Sequence, residues 1–350
     1  MTIIYFLILL SVIICIHEAG HLLAAKLFNV YVYEYSFGMG PALFKKQGKE
    51  TCYSIRAIPM GGFVSLAGET DEDVHPEIEV PEERRLCNKP AWQKIIILLA
   101  GVFMNFVLCF VILSMLYLRS GFYPQSPAAR IVKVMENSPA ERAGLQDGDV
   151  IVHLAQGAHT SDPETFQDLQ MFFYDLENET VEVTVDRNGT LVTATVNCEK
   201  NEDGSYRIGI QGPELEYKQV TLLNCWGYGL KEMGYFVRLM RDSIRTLIFG
   251  RNLNQLSGPV GIYSATEQSV SYGLTGYLLL MAELSLSVGI MNLLPLPVLD
   301  GGQVVITLFE TIFRHKLSEK VKIGLMGACW VLLIGLMVFV TWNDISRLMQ

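Results

Sequence analysis

Basic charge is in short supply: 27 Lys and Arg stand against 36 Asp and Glu, a formal net charge of -9, which argues against nucleic acid as a partner. Cysteine lacks a pattern. The seven Cys have neither metal-ligand nor disulfide spacing, and Cys15, Cys109 and Cys329 fall in apolar runs where a thiol packs as a small apolar group. The spacing leaves a pairing of Cys198 with Cys225 open. No basic stretch precedes the apolar N-terminal run, which argues against a cleaved signal peptide. Histidine is scarce, at six in 350 residues. What the chain does have is apolar bulk: half its residues are apolar and the mean hydropathy is +0.30. That is high for a soluble protein and low for a pure membrane bundle, so a membrane core with at least one aqueous domain is expected.

Four segments are apolar and long enough to span a bilayer: Thr2 to about Leu27, Ile95 to Leu118, Tyr277 to Leu299 and Ile323 to Val340. Four crossings place both termini on one side. Lys26, Lys45, Lys46, Lys49, Arg84, Arg85, Lys89 and Lys94 cluster between the first two spans, and Arg314, Lys316, Lys320 and Lys322 precede the last. Basic residues mark cytoplasmic loops, so the stretch from Arg119 to Gly276 and both termini are expected outside.

Within the first span lies His17-Glu18-Ala19-Gly20-His21. A helical repeat puts His17 and His21 one turn apart on one face, where two imidazoles can share Zn²⁺, while Glu18 can serve a metal-bound water without being a ligand. By chance such a motif arises in about one chain in a hundred of this His content. Its place in a span strengthens it, because ionisable groups at mid-membrane cost about 2.5 kcal/mol or more each and call for a compensating partner. A zinc site keeping one open position needs a third protein ligand. The third span ends in Asn292-Leu293-Leu294-Pro295-Leu296-Pro297-Val298-Leu299-Asp300-Gly301-Gly302, where two prolines break the helix and Asp300 emerges as the best third ligand. Asn105, a lone amide in the second span, suits either the backbone of an unwound substrate or an interhelical packing bond. Asn292 suits an oxyanion or a bound substrate.

Strand-formers Tyr53, Ile55, Phe63 and Val64 flank the turn signal Pro59-Met60-Gly61-Gly62, which predicts a hairpin over about residues 52–66, either a substrate dock or a cover for the cytoplasmic mouth. The acid-rich, proline-rich run from Glu69 to Glu83 reads as a solvated loop, and His75 within it is isolated. Outside, Ser138 to Ile151 begins with a helix cap and ends in an Asp-Gly turn, and Val181 to Val185 alternates with Leu191 to Val196 about Arg187-Asn188-Gly189. From Trp226 to Ile248, apolar residues recur at helical spacing beside Lys231, Arg238, Arg241 and Arg245, predicting an amphipathic helix on the membrane or packed on the outer domain.

The chain resembles the site-2 protease family of intramembrane zinc metalloproteases, in its RseP-type form with a single PDZ domain. The resemblance rests on His17 to His21, Leu299-Asp300-Gly301, Gly101-Val102-Phe103-Met104-Asn105-Phe106 and Ser257-Gly258-Pro259-Val260-Gly261-Ile262, in family order across nearly the whole chain. It implies a polytopic α-helical membrane protein with four transmembrane helices, a membrane-associated β-hairpin and one extracytoplasmic PDZ-like α+β domain. Divisions follow at 1–118, with the hairpin at 52–66, then 123–212 for the PDZ-like domain, 213–275 for an interfacial linker and 276–350 for the last two spans. His17, His21 and Asp300 match zinc ligands, Glu18 the catalytic acid/base, and Asn105 and Asn292 substrate-binding positions. The implied activity is hydrolysis, in the cytoplasmic half of a bacterial cell membrane, of single-span membrane proteins already cut by an upstream site-1-type protease. A PDZ-like tail-binding loop is expected near Tyr123 to Ala129, in a domain that either captures peptide ends or filters by bulk. Two other classes stay open: a catalytically inactive PDZ-bearing receptor or chaperone, and a metal transporter. Glu18 speaks against the first, and metal flux without cleavage would mark the second.

Overall fold

Thr2–Leu27 contains no proline and forms one unbroken helix, α1. Its end is fixed by Asn29, whose φ of 53° lets Val30 N–H reach Ala25 O and Asn29 N–H reach Lys26 O, the paired bonds of a Schellman cap. The computed structural model describes residues 2–69, 78–157, 159–174, 176, 178–201, 206–248, 258–315 and 317–348. His75, Ser257 and Lys316 lie outside the described residues. Two compact units result, one of residues 1–119 with 222–350 and one of residues 120–221.

In the first unit, β1 (Val32–Gln47) and β2 (Cys52–Leu66) follow α1, and α2 (Ala91–Ser120) is the second span. Both strands bend, so one pair makes four arms. Residues 32–37 run antiparallel to 62–66, 39–47 antiparallel to 52–58, and 34–37 also lie beside 52–55. The bends fall at Gly38, Gly40 and Gly61, all with φ above +80°, a backbone region that disfavours any side chain. The hairpin expected over residues 52–66 is therefore corrected: its two halves do not pair with each other but hold 32–37 between them. Val32, Glu34 and Ser36 are buried in that middle arm, and Glu34 bonds Ser54 and Arg56. Burial pushes the Glu34 carboxyl up, and those two partners more than reverse it.

Toward the C-terminus come α5 (Cys225–Ile248), α6 (Pro259–Ser271), α7 (Gly273–Asn292), α8 (Asp300–Phe313) and α9 (Glu319–Leu348). Among the described residues, four helices are long and apolar enough to cross a membrane, α1, α2, α7 and residues Lys320–Asp344 of α9, and the protein is a multi-pass membrane protein. Leu9 and Ile13 of α1 pack on Tyr277 and Met281 of α7, and Cys109 and Leu113 of α2 on Ala282 and Leu286. Gly20 lets α1 and α2 touch, since a Cβ there would stand 2.2 Å from Ala100 O. The buried Asp344 carboxylate of α9 accepts from Gly258 N and Gly261 N, 2.9 Å each, and so caps α6. The stripe on α5 divides: Met233 and Phe236 join the α2–α7 core, and Trp226, Leu230 and Val237 stay exposed.

The second unit holds β3 (Phe122–Gln125), β4 (Lys133–Val134), α3 (Pro139–Arg142), β5 (Val150–Gln156), β6 (His159–Ser161), α4 (Phe166–Tyr174), β7 (Thr180–Arg187), β8 (Thr190–Asn197) and the short β9 (Glu199–Lys200), β10 (Tyr206–Arg207), β11 (Ile210–Gln211) and β12 (Glu216–Gln219). A four-stranded sheet in the order β6-β5-β7-β8 encloses Ile151, Leu154, Val181, Val183 and Val185 against Leu169 and Phe172 of α4. Ser138 caps α3, and Asn188 and Gly189, both at positive φ, turn β7 into β8. Asp149, almost wholly buried, takes two bonds of 2.8 Å from Arg187, whose guanidinium holds its carboxyl below the ordinary range. Of the stretch expected to hold a tail-binding loop, Tyr123 to Gln125 belong to strand β3, paired with β12, and only 126–129 lie outside a named strand. Cys198 and Cys225 are both free thiols.

Candidate metal centre

Two breaks in α-helix deliver the site's third group. After Asn292, Pro295 and Pro297 deny the helix its donors, and the chain turns through Leu296 N–H to Leu294 O and Leu299 N–H to Leu296 O before α8 starts at Asp300. Gly301 and Gly302 let α8 fold back on that connector, because a Cβ at either would stand within 2.3 Å of a backbone oxygen of Leu293 or Leu296. Gln303 Nε2 donates to Pro297 O at 2.6 Å and closes the turn. Asp300 thus sits in the first turn of a helix, where the helix dipole favours a carboxylate.

One ligand atom each from His17, His21 and Asp300 gather within 4.8 Å of one another. His17 Nε2 is 3.1 Å from Asp300 Oδ2, His21 Nε2 is 3.6 Å from it, and the two Nε2 atoms are 3.2 Å apart. Tetrahedral donors about 2.0–2.1 Å from a zinc ion stand about 3.3 Å from each other, so the triangle has the size the ion requires. The far ring nitrogens point to the same conclusion. His21 Nδ1 is 2.8 Å from Ile97 O, which can only accept, so the proton is on Nδ1 and the Nε2 lone pair faces inward. Asp300 Oδ2 is buried with no hydrogen bond. Lone pairs and an anionic oxygen crowded together repel unless a cation lies between them, and the donor set fits zinc.

Glu18 turns elsewhere. Its Oε2 accepts from Val64 N–H at 3.1 Å, while Tyr35, opposite Val64 in the sheet, donates to Cys15 O at 2.9 Å. The sheet therefore grips α1 at two points, one turn apart, beside the histidines.

The sequence model of peptidase family M50 matches residues 5–336. The chain belongs to peptidase family M50. As a site-2 protease family of metalloproteases, M50 bears out the resemblance carried by the His17 to His21 motif. This M50 chain is 35% identical over 348 residues to a protein of Clostridium perfringens (strain 13 / Type A) that carries a zinc-metalloprotease name, with 99% of this chain and 98% of that one covered. Zinc metalloprotease RasP of Shouchella clausii is 30% identical over 426 aligned residues, covering 99% of each. Among solved structures, the PDZ domain of an SdrC-like protein from Listeria monocytogenes matches 25% of this chain and 90% of its own, at 18% identity and a TM-score of 0.21.

The two amides differ in where the M50 chain puts them. Asn105 is fully buried, its side-chain amide 3.3 Å from His17 Nδ1 and its Oδ1 without a partner. Exchanging the amide's O and N, which have nearly the same shape, lets Oδ1 accept from His17 Nδ1–H and leaves Nε2 for the metal. The packing bond weighed for Asn105 is thus made to a candidate ligand. Asn292, the last residue of α7, is half-buried and makes no hydrogen bond to the cluster. Gly101 is a position the motifs contained but reasoning on single residues passed over: a Cβ there would meet His21 Nε2 at 2.5 Å and His17 Cε1 at 2.8 Å. Val64 offered no signal, since its contribution is a backbone N–H.

Proposed function

We propose that this M50 protein hydrolyses peptide bonds within or beside the transmembrane segments of single-span membrane proteins previously shortened by another protease, and that His17, His21 and Asp300 hold its zinc. The observation that carries the reading is the convergence of those three donors within 4.8 Å, two from one helix of spanning character and one from the helix that follows the broken third span. When bound by His17, His21 and Asp300, zinc would supply a Lewis acid able to polarise a scissile carbonyl and to make a water acidic near neutral pH. Glu18 takes that water's proton and returns it to the leaving amine. Asn105 orients His17, and Ile97 O orients His21. Among the described residues, the 62–66 arm of β2 has a neighbouring strand on one side only, which suits the addition of an unwound substrate as a strand. Asn292, with an amide not bound to the cluster, holds substrate at the mouth of the broken helix. The basic loops put the sheet on the cytoplasmic side, the site in the cytoplasmic half of a bacterial membrane, and both termini and the PDZ-like unit outside.

Metal analysis of the purified protein tests the ligand set. Zinc near one equivalent is expected for wild type, and Asp300→Ala and His17→Ala are each expected to lose most of it; undiminished zinc in Asp300→Ala would sink the assignment. Asn105→Ala separates its two roles. As an orienter of His17 it is expected to weaken zinc binding or activity about 10- to 100-fold, seen in chelator competition, whereas a substrate contact would raise KM and leave chelation unchanged.

A further inference from the structure

The free edge of the sheet is closed at one end by the chain itself. Along 62–66 the backbone groups alternate, and Ala67 N–H, bonded to Tyr31 O at 3.0 Å, marks the set facing β1. The opposite set, Gly62, Val64 and Leu66, faces away from β1. Val64 N–H meets Glu18 at 3.1 Å. Leu66 is treated differently: its N–H donates to Glu69 Oε2 at 3.3 Å, and its C=O accepts from Glu69 N–H at 3.4 Å. Both ladder groups that Leu66 would offer to an added strand are taken by one residue three positions on.

We propose that Glu69 is a register-determining residue: it stops the substrate ladder after Val64 and so fixes which peptide bond lies at the metal centre. The proposal rests on strand addition to this edge. An added strand can bond only at Gly62 and Val64. Val64 is the position whose N–H already touches Glu18, so the substrate residue that pairs there displaces that contact and lies next to the acid/base. Removing the Glu69 carboxylate frees the Leu66 N–H while the backbone bond from residue 69 to Leu66 O stays, and with that donor open a substrate can slide by one strand period, about two residues, and still present a bond to the same centre. Glu69→Gln keeps an acceptor oxygen for Leu66 N–H and is the conservative control.

Mass spectrometry of products from one model spanning peptide, cut by the zinc-loaded full-length enzyme in liposomes, reads the register. Wild type and Glu69→Gln are expected to cut one dominant bond. Glu69→Ala, at wild-type zinc content, is expected to send about a third or more of the cleavage to bonds displaced by about two residues. A single unchanged bond in Glu69→Ala overturns the proposal. Substrates N-methylated one residue at a time examine the underlying reading without touching the enzyme. Loss of about 10-fold in cleavage at alternate positions, the cost of a ladder bond, supports strand addition. No sensitive position overturns strand addition itself, whereas sensitive positions together with an unmoved bond in Glu69→Ala overturn the ladder stop alone.

Discussion

Replacing Glu18 with Gln is expected to lower hydrolysis by about 10²- to 10⁴-fold, the usual worth of a positioned general acid/base. Gln has the same shape and cannot take a proton from water. Its carbonyl oxygen can still accept from Val64 N–H, the 3.1 Å contact that holds the side chain, so the sheet and α1 keep their relation. None of the three atoms in the triangle belongs to residue 18, so zinc content should match wild type. Substrate that binds and is not cut should accumulate, and mass spectrometry of what co-purifies with Glu18→Gln would name it. An activity within a few-fold of wild type would remove Glu18 from the chemistry. Lost zinc would instead mean that the residue supports the metal site.

That the mutated atom and the metal donors can be told apart at all owes much to the sequence. His17, Glu18 and His21 follow from a local repeat, and the prolines at 295 and 297 announce a broken span that ends beside a carboxylate. Each is a statement about neighbours along the chain. The sheet was harder to read. Residues 32–47 contain Gly38, Gly40, Pro41, Lys45 and Lys46, which look like punctuation, and their strand character depends on arms up to 34 residues away, such as Val32 opposite Leu66. Pattern reading found the turn at Pro59 to Gly62 but joined its flanks to each other, because the strand inserted between them comes from earlier in the chain. Asn105 shows the same limit within a helix. An amide in a span announces a partner and does not name it, and the partner, His17, lies 88 positions away on α1. The amphipathic helix α8 was open to inspection, since Val305, Leu308, Phe309 and Ile312 recur at helical spacing and are exposed, but proximity to Asp300 drew the reading to the turn alone.

Gly101→Ala is expected to remove zinc and activity together while leaving the four spans folded. A methyl group at residue 101 would lie 2.5 Å from His21 Nε2, and 2.8 Å from both His17 Cε1 and His21 Cε1, all closer than real Cβ contacts come. Two kinds of relief are conceivable. The imidazoles can rotate, which breaks the 2.8 Å bond from His21 Nδ1 to Ile97 O and turns Nε2 away from Asp300. Or α2 can withdraw from α1, which loosens Asn105 from His17, and with it the ring's orientation. Either route spoils the 3.1–3.6 Å triangle, and outer-shell losses alone weaken a metal site about 10- to 100-fold. Gly324→Ala, on α9, meets nothing within 4 Å and is the matched control; it should keep full zinc and gain slightly in helix propensity. Zinc per chain and cleavage of a spanning peptide decide the matter. Should Gly101→Ala retain one zinc and the wild-type rate, the close approach of α2 to the two imidazoles would have no part in the metal centre. If both readings collapse as expected, the second span acts on the metal without donating a ligand, by lacking a side chain at Gly101 and by carrying an amide one turn further on.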